Sequence, residues 1–373
     1  MVRVDFGTRS GLKVPFVNIG TMRLPEDSDE AAALIRQAID AGMVYIDTSR
    51  GYADCELKVA KALKDGYRDK VILSAKWAPW AVRVEESDDG SADCVRRRIE
   101  EQMTRLEVDF LDFYQVWALN SRDHYNMVVA KGGMLEGIQK AMAEGLVRHT
   151  GFTTHDDPAN LLSYLDEIDW CEVMLITYNL LNPRYAQVLA AAHERGIGTI
   201  LMNPVGGGKL AEPSRVLLDL ADRVGVASVP ELSIRYLLSN PNVDAIIPGI
   251  AKPSDIADSI AAAAAGPLSV EQMGVINAFL AEIAKRTSAF CTGCNYCMPC
   301  PHEVNIPAVM SCIEDYRFWG LKETARRRYA HLQGMKADAC EECGECETKC
   351  TQKLSIIEEM RFARETFEAG PGR

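Results

Sequence analysis

The chain has little with which to enter a membrane. None of its 373 residues fall in an apolar run of the roughly 18 to 20 that span a bilayer. Its first residues, Met1 to Leu12, carry Arg3, Asp5 and Arg9 where a secretory leader is apolar, so a cytoplasmic protein with no membrane partner is expected. Cations are scarce as well. With 41 Lys+Arg against 53 Asp+Glu the net charge is -12, whereas a protein that grips a phosphate backbone draws its affinity from clustered cations. Nucleic acid is therefore a poor partner. Aromatic residues are only 7% of the chain, but 47% hydrophobic with 25% charged residues is the make-up of a globular protein able to bury a large core. One more absence concerns the fold. A doubly wound sheet normally leaves its first strand through Gly-x-Gly-x-x-Gly, and that position here reads Gly20-Thr21-Met22-Arg23-Leu24.

Cysteine, in contrast, is plentiful: eight of the twelve fall between Cys291 and Cys350, while Cys55, Cys94, Cys171 and Cys312 are scattered. Tight Cys-x-x-Cys spacing in a reducing compartment points to metal rather than to disulfides. The first run is Cys291, Cys294, Cys297 and Cys300, each separated by two residues and followed by Pro301; the second is Cys340, Cys343, Cys346 and, after a three-residue gap, Cys350. The second has bacterial ferredoxin spacing, with Thr351 in place of the usual Pro. In that arrangement three thiolates of one run hold one iron-sulfide cube, and the fourth crosses to the other cube. The expected sets are Cys291, Cys294, Cys297 and Cys350 for one [4Fe-4S] cluster, and Cys340, Cys343, Cys346 and Cys300 for the other. Zinc, or one cluster beside a vestigial site, is the alternative; paired zinc ligands would leave the third cysteine of each run idle.

From residue 14 to about residue 265, short Val- and Ile-rich runs alternate with helical patterns, as buried parallel strands and their crossovers do. Strands are expected at 17–20, 44–47, 71–76, 111–116, 147–153, 174–177, 198–202 and 245–248. Helices are expected between them, at 30–41, 56–64, 92–106, 134–144, 160–166, 185–195, 214–224 and 254–264. Eight βα units in about 250 residues match an α/β protein of the (β/α)8 TIM-barrel type. Residues 4–6 and 13–14 read as a hairpin plugging the barrel bottom. The texture changes near Ser288, giving an expected division into a barrel, 1–286, and a mostly helical, ferredoxin-like domain binding two [4Fe-4S] clusters, 287–373.

The strand ending at Asp47 runs on as Thr48-Ser49-Arg50-Gly51-Tyr52, and the next strand ends at Lys76; barrels place catalytic groups at these C-terminal strand ends. On Asp47-Thr48, Tyr52 and Lys76, with Gly151-Phe152-Thr153, Tyr178-Asn179, Gly206-Gly207-Gly208-Lys209-Leu210 and Ile247-Pro248-Gly249, the sequence resembles the aldo-keto reductase family over nearly its whole length. With both cysteine runs, it is similar to the aldo-keto reductases that carry a C-terminal ferredoxin-like dicluster domain. The resemblance implies that Tyr52 gives a proton to a substrate carbonyl, that Lys76 lowers the Tyr52 pKa, that Asp47 pairs with Lys76, and that hydride comes from NAD(P)H. A phenol with an unperturbed pKa near 10 needs such a cation to work near neutral pH. The family's fourth catalytic residue, a His, is Trp117 here, and an indole N–H donates a hydrogen bond but cannot shuttle a proton. His155 is a candidate replacement donor.

NADP(H) or NAD(H) would find backbone N–H groups at Gly206, Gly207 and Gly208, and a helix start at Gly249, Lys252 and Ser254, although Asp255 there disfavours an anion. Trp77, Trp80 and Trp117 offer walls for an apolar or aromatic substrate, with core packing as the alternative. The run Arg326-Arg327-Arg328 reads as a solvated helix face. Two function classes follow. One is an iron-sulfur oxidoreductase reducing a carbonyl or a conjugated, aromatic small molecule with electrons from NAD(P)H, the clusters, or a low-potential donor or redox partner protein. The other is a non-catalytic electron-transfer or assembly subunit whose barrel has lost its chemistry with the catalytic His.

Overall fold

The fold comes from a computed structural model that describes residues 1–288, 291, 295–350 and 352–368. Two short strands, β1 (Arg3–Asp5) and β2 (Lys13–Pro15), pair antiparallel with Val4 opposite Val14. Eight parallel strands follow: β3 (Ile19–Gly20), β4 (Tyr45–Asp47), β5 (Ile72–Trp77), β6 (Leu111–Val116), β7 (Val147–Thr154), β8 (Val173–Thr177), β9 (Gly198–Met202) and β10 (Ala245–Ile247). Each pairs with its neighbours in chain order. The ring is closed by parallel bridges from Val17 to Ile246 and from Gly20 to Gly249, with Ile246 N donating to Phe16 O at 2.7 Å. The (β/α)8 barrel read from the sequence is present.

Its strands hold because both faces are buried: β6 is Leu-Asp-Phe-Tyr-Gln-Val with every residue buried, so its outward side chains meet helices and its inward ones meet the barrel core. The hairpin closes one end. Phe6, fully buried, meets Tyr45 at 5.6 Å and Phe113 at 5.9 Å in edge-on contacts, with Val14, Val173, Leu175, Ile200 and Ala245 around it. Buried side chains of this size stabilise by roughly 1.5–3 kcal/mol each. The crossover helices start on side-chain caps, Asp27 for Ser28–Asp40, Ser91 for Ala92–Leu106 and Asp157 for Pro158–Leu165. Within the barrel region, two helices absent from the sequence expectation are Arg122–Val129 and Val229–Leu238. The first is polar at its start and ends in two Val residues, and the second carries Pro230 in its first turn, where a missing N–H costs nothing.

The chain packs as two compact units, Met1–Gly207 with Ser233–Leu268, and Gly208–Leu232 with Ser269–Arg373. The expected boundary at residue 286 falls within the second, since the helices Arg215–Val224 and Val270–Ser288 cluster with the C-terminal segment. Gln272 Nε2 donates to Val224 O at 2.8 Å between them. The rest of that unit is helical: Ile306–Arg317, Lys322–Ala330, Glu345–Lys349 and Ile356–Ala363. Val309, Met310, Ile313, Leu321, Ala325, Tyr329, Ile356 and Met360 form its core. No helix among the described residues is long and apolar enough to cross a membrane.

Candidate active site and cysteine-lined cavities

The C-terminal ends of β4 and β5 bring Asp47 and Lys76 together. Lys76 Nζ lies 2.5 Å from Asp47 Oδ2 and donates to Thr48 O at 3.0 Å, with both side chains buried. Nζ also sits 4.7 Å from the centre of the Tyr52 ring. Burial opposes the charge on Lys76, but Asp47 and the Tyr52 phenol outweigh it and hold the ammonium protonated above its ordinary range. Burial raises the Tyr52 phenol more than Lys76 lowers it, so the net shift is upward from the ordinary value. The side chain is thus poised as a proton donor. Next to the pair, Asp47 Oδ1 and Thr48 Oγ1 are buried without a hydrogen-bond partner among the described residues. Orphaned polar atoms at a strand end of a barrel are what a bound polar ligand would satisfy.

Trp117 follows β6 and meets Tyr52 edge-on, with ring centres 5.6 Å apart and an interplanar angle of 84°. A Cβ at Gly51 would stand 2.4 Å from Trp117 Cη2, so this close approach demands glycine at a position of ordinary backbone conformation. Trp117 thus borders Tyr52. Trp77 is fully buried and donates from Nε1 to Val82 O at 3.0 Å, which makes it core packing. Trp80 donates to Trp117 O at 3.0 Å and to Ala118 O at 2.8 Å while stacking on His124, and so fixes the loop that carries Trp117. His155 meets Thr177 and Asn120. Its Nδ1 lies 3.3 Å from Thr177 Oγ1, its backbone N donates to Asn120 Oδ1 at 2.7 Å, and burial, helped by Arg184, lowers its pKa.

The loop after β9 has Gly206, Gly207 and Gly208 with φ of 62°, 66° and 93°, a left-handed run that glycine alone adopts readily. Arg23, in the loop after β3, donates from Nη2 to Gly207 O at 2.8 Å and packs its stem beside Gly249. Sequence reasoning passed over Arg23; its place just beyond a strand end was the available signal. Lys252 and Ser254 are exposed at the start of Pro253–Ala264. There Asp255 Oδ2 accepts from Ala251 N at 2.9 Å and Lys252 N at 3.1 Å, occupying donors a phosphate would use. The glycine loop and Arg23 suit a dinucleotide better than this helix start does.

In the C-terminal unit the cysteines ring two cavities. Cys300, Cys340, Cys343 and Cys346 line one, with His302, Ile306 and Met360. Cys291, Cys297 and Cys350 line a second, with Ile306, Pro307 and Met310. Cys294 lies outside the described residues. Cys300 is therefore grouped with three cysteines of the second run and Cys350 with two of the first, and the donors are soft thiols in apolar walls. No group of three or more His, Cys, Asp or Glu side chains among the described residues is gathered as a single-ion site. A cube holds each thiolate at a different corner, so its ligands surround a space instead of converging on a point. Arg326, Arg327 and Arg328 engage Glu323, Thr324 and Asp315, so the run is woven into its own unit.

Residues 17–281 match the model of the aldo/keto reductase family. L-galactose dehydrogenase of Arabidopsis thaliana is 26% identical over 302 residues, 74% of this chain and 91% of its own length. 6-dehydroglucose reductase of Novosphingobium aromaticivorans is 27% identical over 242 residues, 58% of this chain and 75% of its own. Among solved structures, an aldo-keto reductase from Klebsiella pneumoniae in complex with NADPH superposes with TM-score 0.61 at 24% identity, covering 74% of this chain and 95% of that one. The holo form of an aldo-keto reductase from Bacillus halodurans gives TM-score 0.64 at 22% identity, with the same coverage. The matched barrel, closed by its hairpin and carrying Asp47, Tyr52 and Lys76 at its strand ends, thus places the chain in the aldo/keto reductase family.

Proposed function

We propose that this oxidoreductase reduces a carbonyl, or a conjugated or aromatic small molecule, at Tyr52, and that its C-terminal unit holds two [4Fe-4S] clusters that relay electrons. The observation that carries the catalytic part is the buried Asp47–Lys76 pair beneath the Tyr52 ring. Tyr52 gives its proton to the developing negative charge on the substrate oxygen. Lys76, held charged by Asp47, stabilises the phenolate left behind, and Trp117 fills the space beside Tyr52 where a small aldehyde would sit, presenting a flat face to a larger, planar substrate. NADP(H) or NAD(H), held by the glycine loop and Arg23, supplies hydride when bound, and NADPH in the Klebsiella pneumoniae relative supports that assignment. Cys291, Cys294, Cys297 and Cys350 would hold one cluster and Cys300, Cys340, Cys343 and Cys346 the other, supplying single electrons. Free thiols in this number suit a reducing compartment such as the cytoplasm.

Replacing Tyr52 by Phe removes the proton donor and nothing else. Turnover of a reducible substrate should fall by about 10² to 10⁴, the usual share of a positioned acid-base group, with iron content unchanged. Full activity in Tyr52→Phe would sink the mechanism. A second reading, an electron-transfer or assembly subunit with an idle barrel, is favoured by Trp117 at the catalytic His position. It predicts no substrate turnover in the wild type over a panel of aldehydes, quinones and conjugated carbonyls.

A further inference from the structure

Tyr52 stands on a segment whose own hydrogen bonds give it shape. Gly51 N donates to Ser49 Oγ at 3.3 Å, Tyr52 N to Ser49 O at 3.1 Å and Cys55 N to Tyr52 O at 2.9 Å. Its ends are fixed as well, by Thr48 N donating to Ser74 O at 2.9 Å and by Cys55 Sγ at 3.1 Å from Thr21 O. Between those ends the helix Ala92–Leu106 holds it from outside the barrel. On that helix Arg98, Glu101, Gln102 and Arg105 recur at three- and four-residue steps and share a face. Glu56, fully buried just past Tyr52, accepts from Gln102 at 2.7 Å and from Arg105 at 2.6 Å. Arg50, just before Tyr52, donates from Nε to Glu101 Oε1 at 2.8 Å. The second Glu101 oxygen takes Arg98 Nη1 at 2.5 Å. Arg98, 2% exposed, reaches on to the stretch between β5 and the helix, with Nη2 3.0 Å from Glu85 Oε1 and Nε 3.3 Å from Asp88 Oδ1. Asp88 in turn accepts from Val84 N at 2.8 Å and Glu85 N at 3.0 Å. That stretch carries Val82, whose Cγ2 would lie 3.4 Å from a Cβ at Gly51. Two segments therefore meet next to Tyr52, and Glu101 joins the arginine of one to the arginine that grips the other.

We propose that Glu101 is a positioning residue for the reaction at Tyr52: by joining Arg50 to Arg98 it holds the Tyr52 segment and the Val82 segment in one arrangement, and so sets where the phenol stands against Trp117 and the substrate. This rests on Tyr52 being the proton donor. Guanidinium–carboxylate bonds are directional, whereas apolar contacts let neighbouring segments slide, so a charged tie is suited to fixing a reacting group. Its value to stability is small. Arg50 and Glu101 keep 22% and 28% exposure, and an ion pair that water can reach contributes little to folding. Glu56 and Arg105 secure the helix after Tyr52; the tilt of the turn before it is left to Arg50 and Glu101. Trp117 has its own support, since its carbonyl takes the Trp80 indole, so loss of the tie displaces Tyr52 and leaves the aromatic wall in place.

The test compares Glu101→Gln, Arg50→Met and the double variant, each as the full chain purified anaerobically, with thermal melting as the control for folding. The probe is a planar quinone, with NADPH or reduced viologen as the electron source. Each single variant should lower kcat about ten- to a hundredfold, the scale of misplacing a reacting group by about an ångström, with KM and melting little changed. The double variant should lose no more than either single one, because both remove the same tie, and Arg50→Lys, which keeps the pair, should recover most of the rate. Fluorine NMR of protein labelled with fluorotryptophan, its Trp117 resonance assigned by Trp117→Phe, gives a reading that needs no turnover: the resonance should shift alike in both single variants as the Tyr52 ring moves. Losses that multiply in the double variant overturn the proposal, as does an unmoved Trp117 resonance. A melting temperature that falls in step with kcat makes the pair a structural prop and overturns it too. A wild type that reduces no quinone contradicts the Tyr52 reading instead, and the fluorine shift then decides by itself whether Glu101 fixes the Tyr52–Trp117 arrangement.

Discussion

At neutral pH the phenol of Tyr52 carries its proton, because burial outweighs the opposing charge of Lys76. The sign follows directly. A group that must be protonated, with a folded pKa above the ordinary tyrosine value near 10, supports reduction below that pKa and loses it as pH rises through it. The rate of carbonyl reduction should therefore show no alkaline fall from this group below about pH 10, where a lowered tyrosine would begin to fail. A descending limb near pH 8 that disappears in Tyr52→Phe would contradict this. Gly51 supplies a second residue-level expectation. Gly51→Ala drives a methyl into the Trp117 ring, 2.4 Å away, so the indole must leave Tyr52. KM for a planar substrate should rise several-fold, because the wall has moved, while iron content stays fixed. An unchanged KM would mean Trp117 does not border the substrate. Asp47 and Lys76 were legible in the sequence because each closes a barrel strand, and the structure pairs them. Gly51 was not, since its constraint comes from the Trp117 ring, which reaches it from the end of another strand.

The strands were readable because each is a short Val- and Ile-rich run buried on both faces, and the C-terminal ends of β4 and β5 were placed within a residue. Helices with clear periodicity were equally plain. Arg122–Val129 and Val229–Leu238 were hidden, one by its polar start and β-branched end, the other by a Pro that reads as a breaker until its first-turn position is known. In the C-terminal unit, Ile306–Arg317 and Ile356–Ala363 pack on one another and bury Val309, Ile313 and Ala363. Cys343 is exposed at the rim of its cavity. Cys343→Ala should then lower iron to about four per chain, the content of one cluster, with helical circular dichroism largely retained. Collapse of the helical signal would show that the clusters, not the apolar core, hold this unit together.

At the scale of the whole molecule, the sequence showed two textures, and the packing groups residues 208–232 with the second. Residues 208–232 lie in the middle of the βα rhythm, yet their partners are Asp315, Trp319, Glu323 and Thr324, about a hundred positions away. No local pattern carries that information. The family match ends at residue 281, so the cysteine-rich segment lies beyond the shared reductase body. The crossed grouping of the two cysteine runs around two cavities is the central structural claim. Iron and acid-labile sulfide, quantified in anaerobically purified protein, test it most directly. The account predicts about eight of each per chain, the sum of two cubes; zinc without sulfide, or a chain that holds no metal under these conditions, would contradict it.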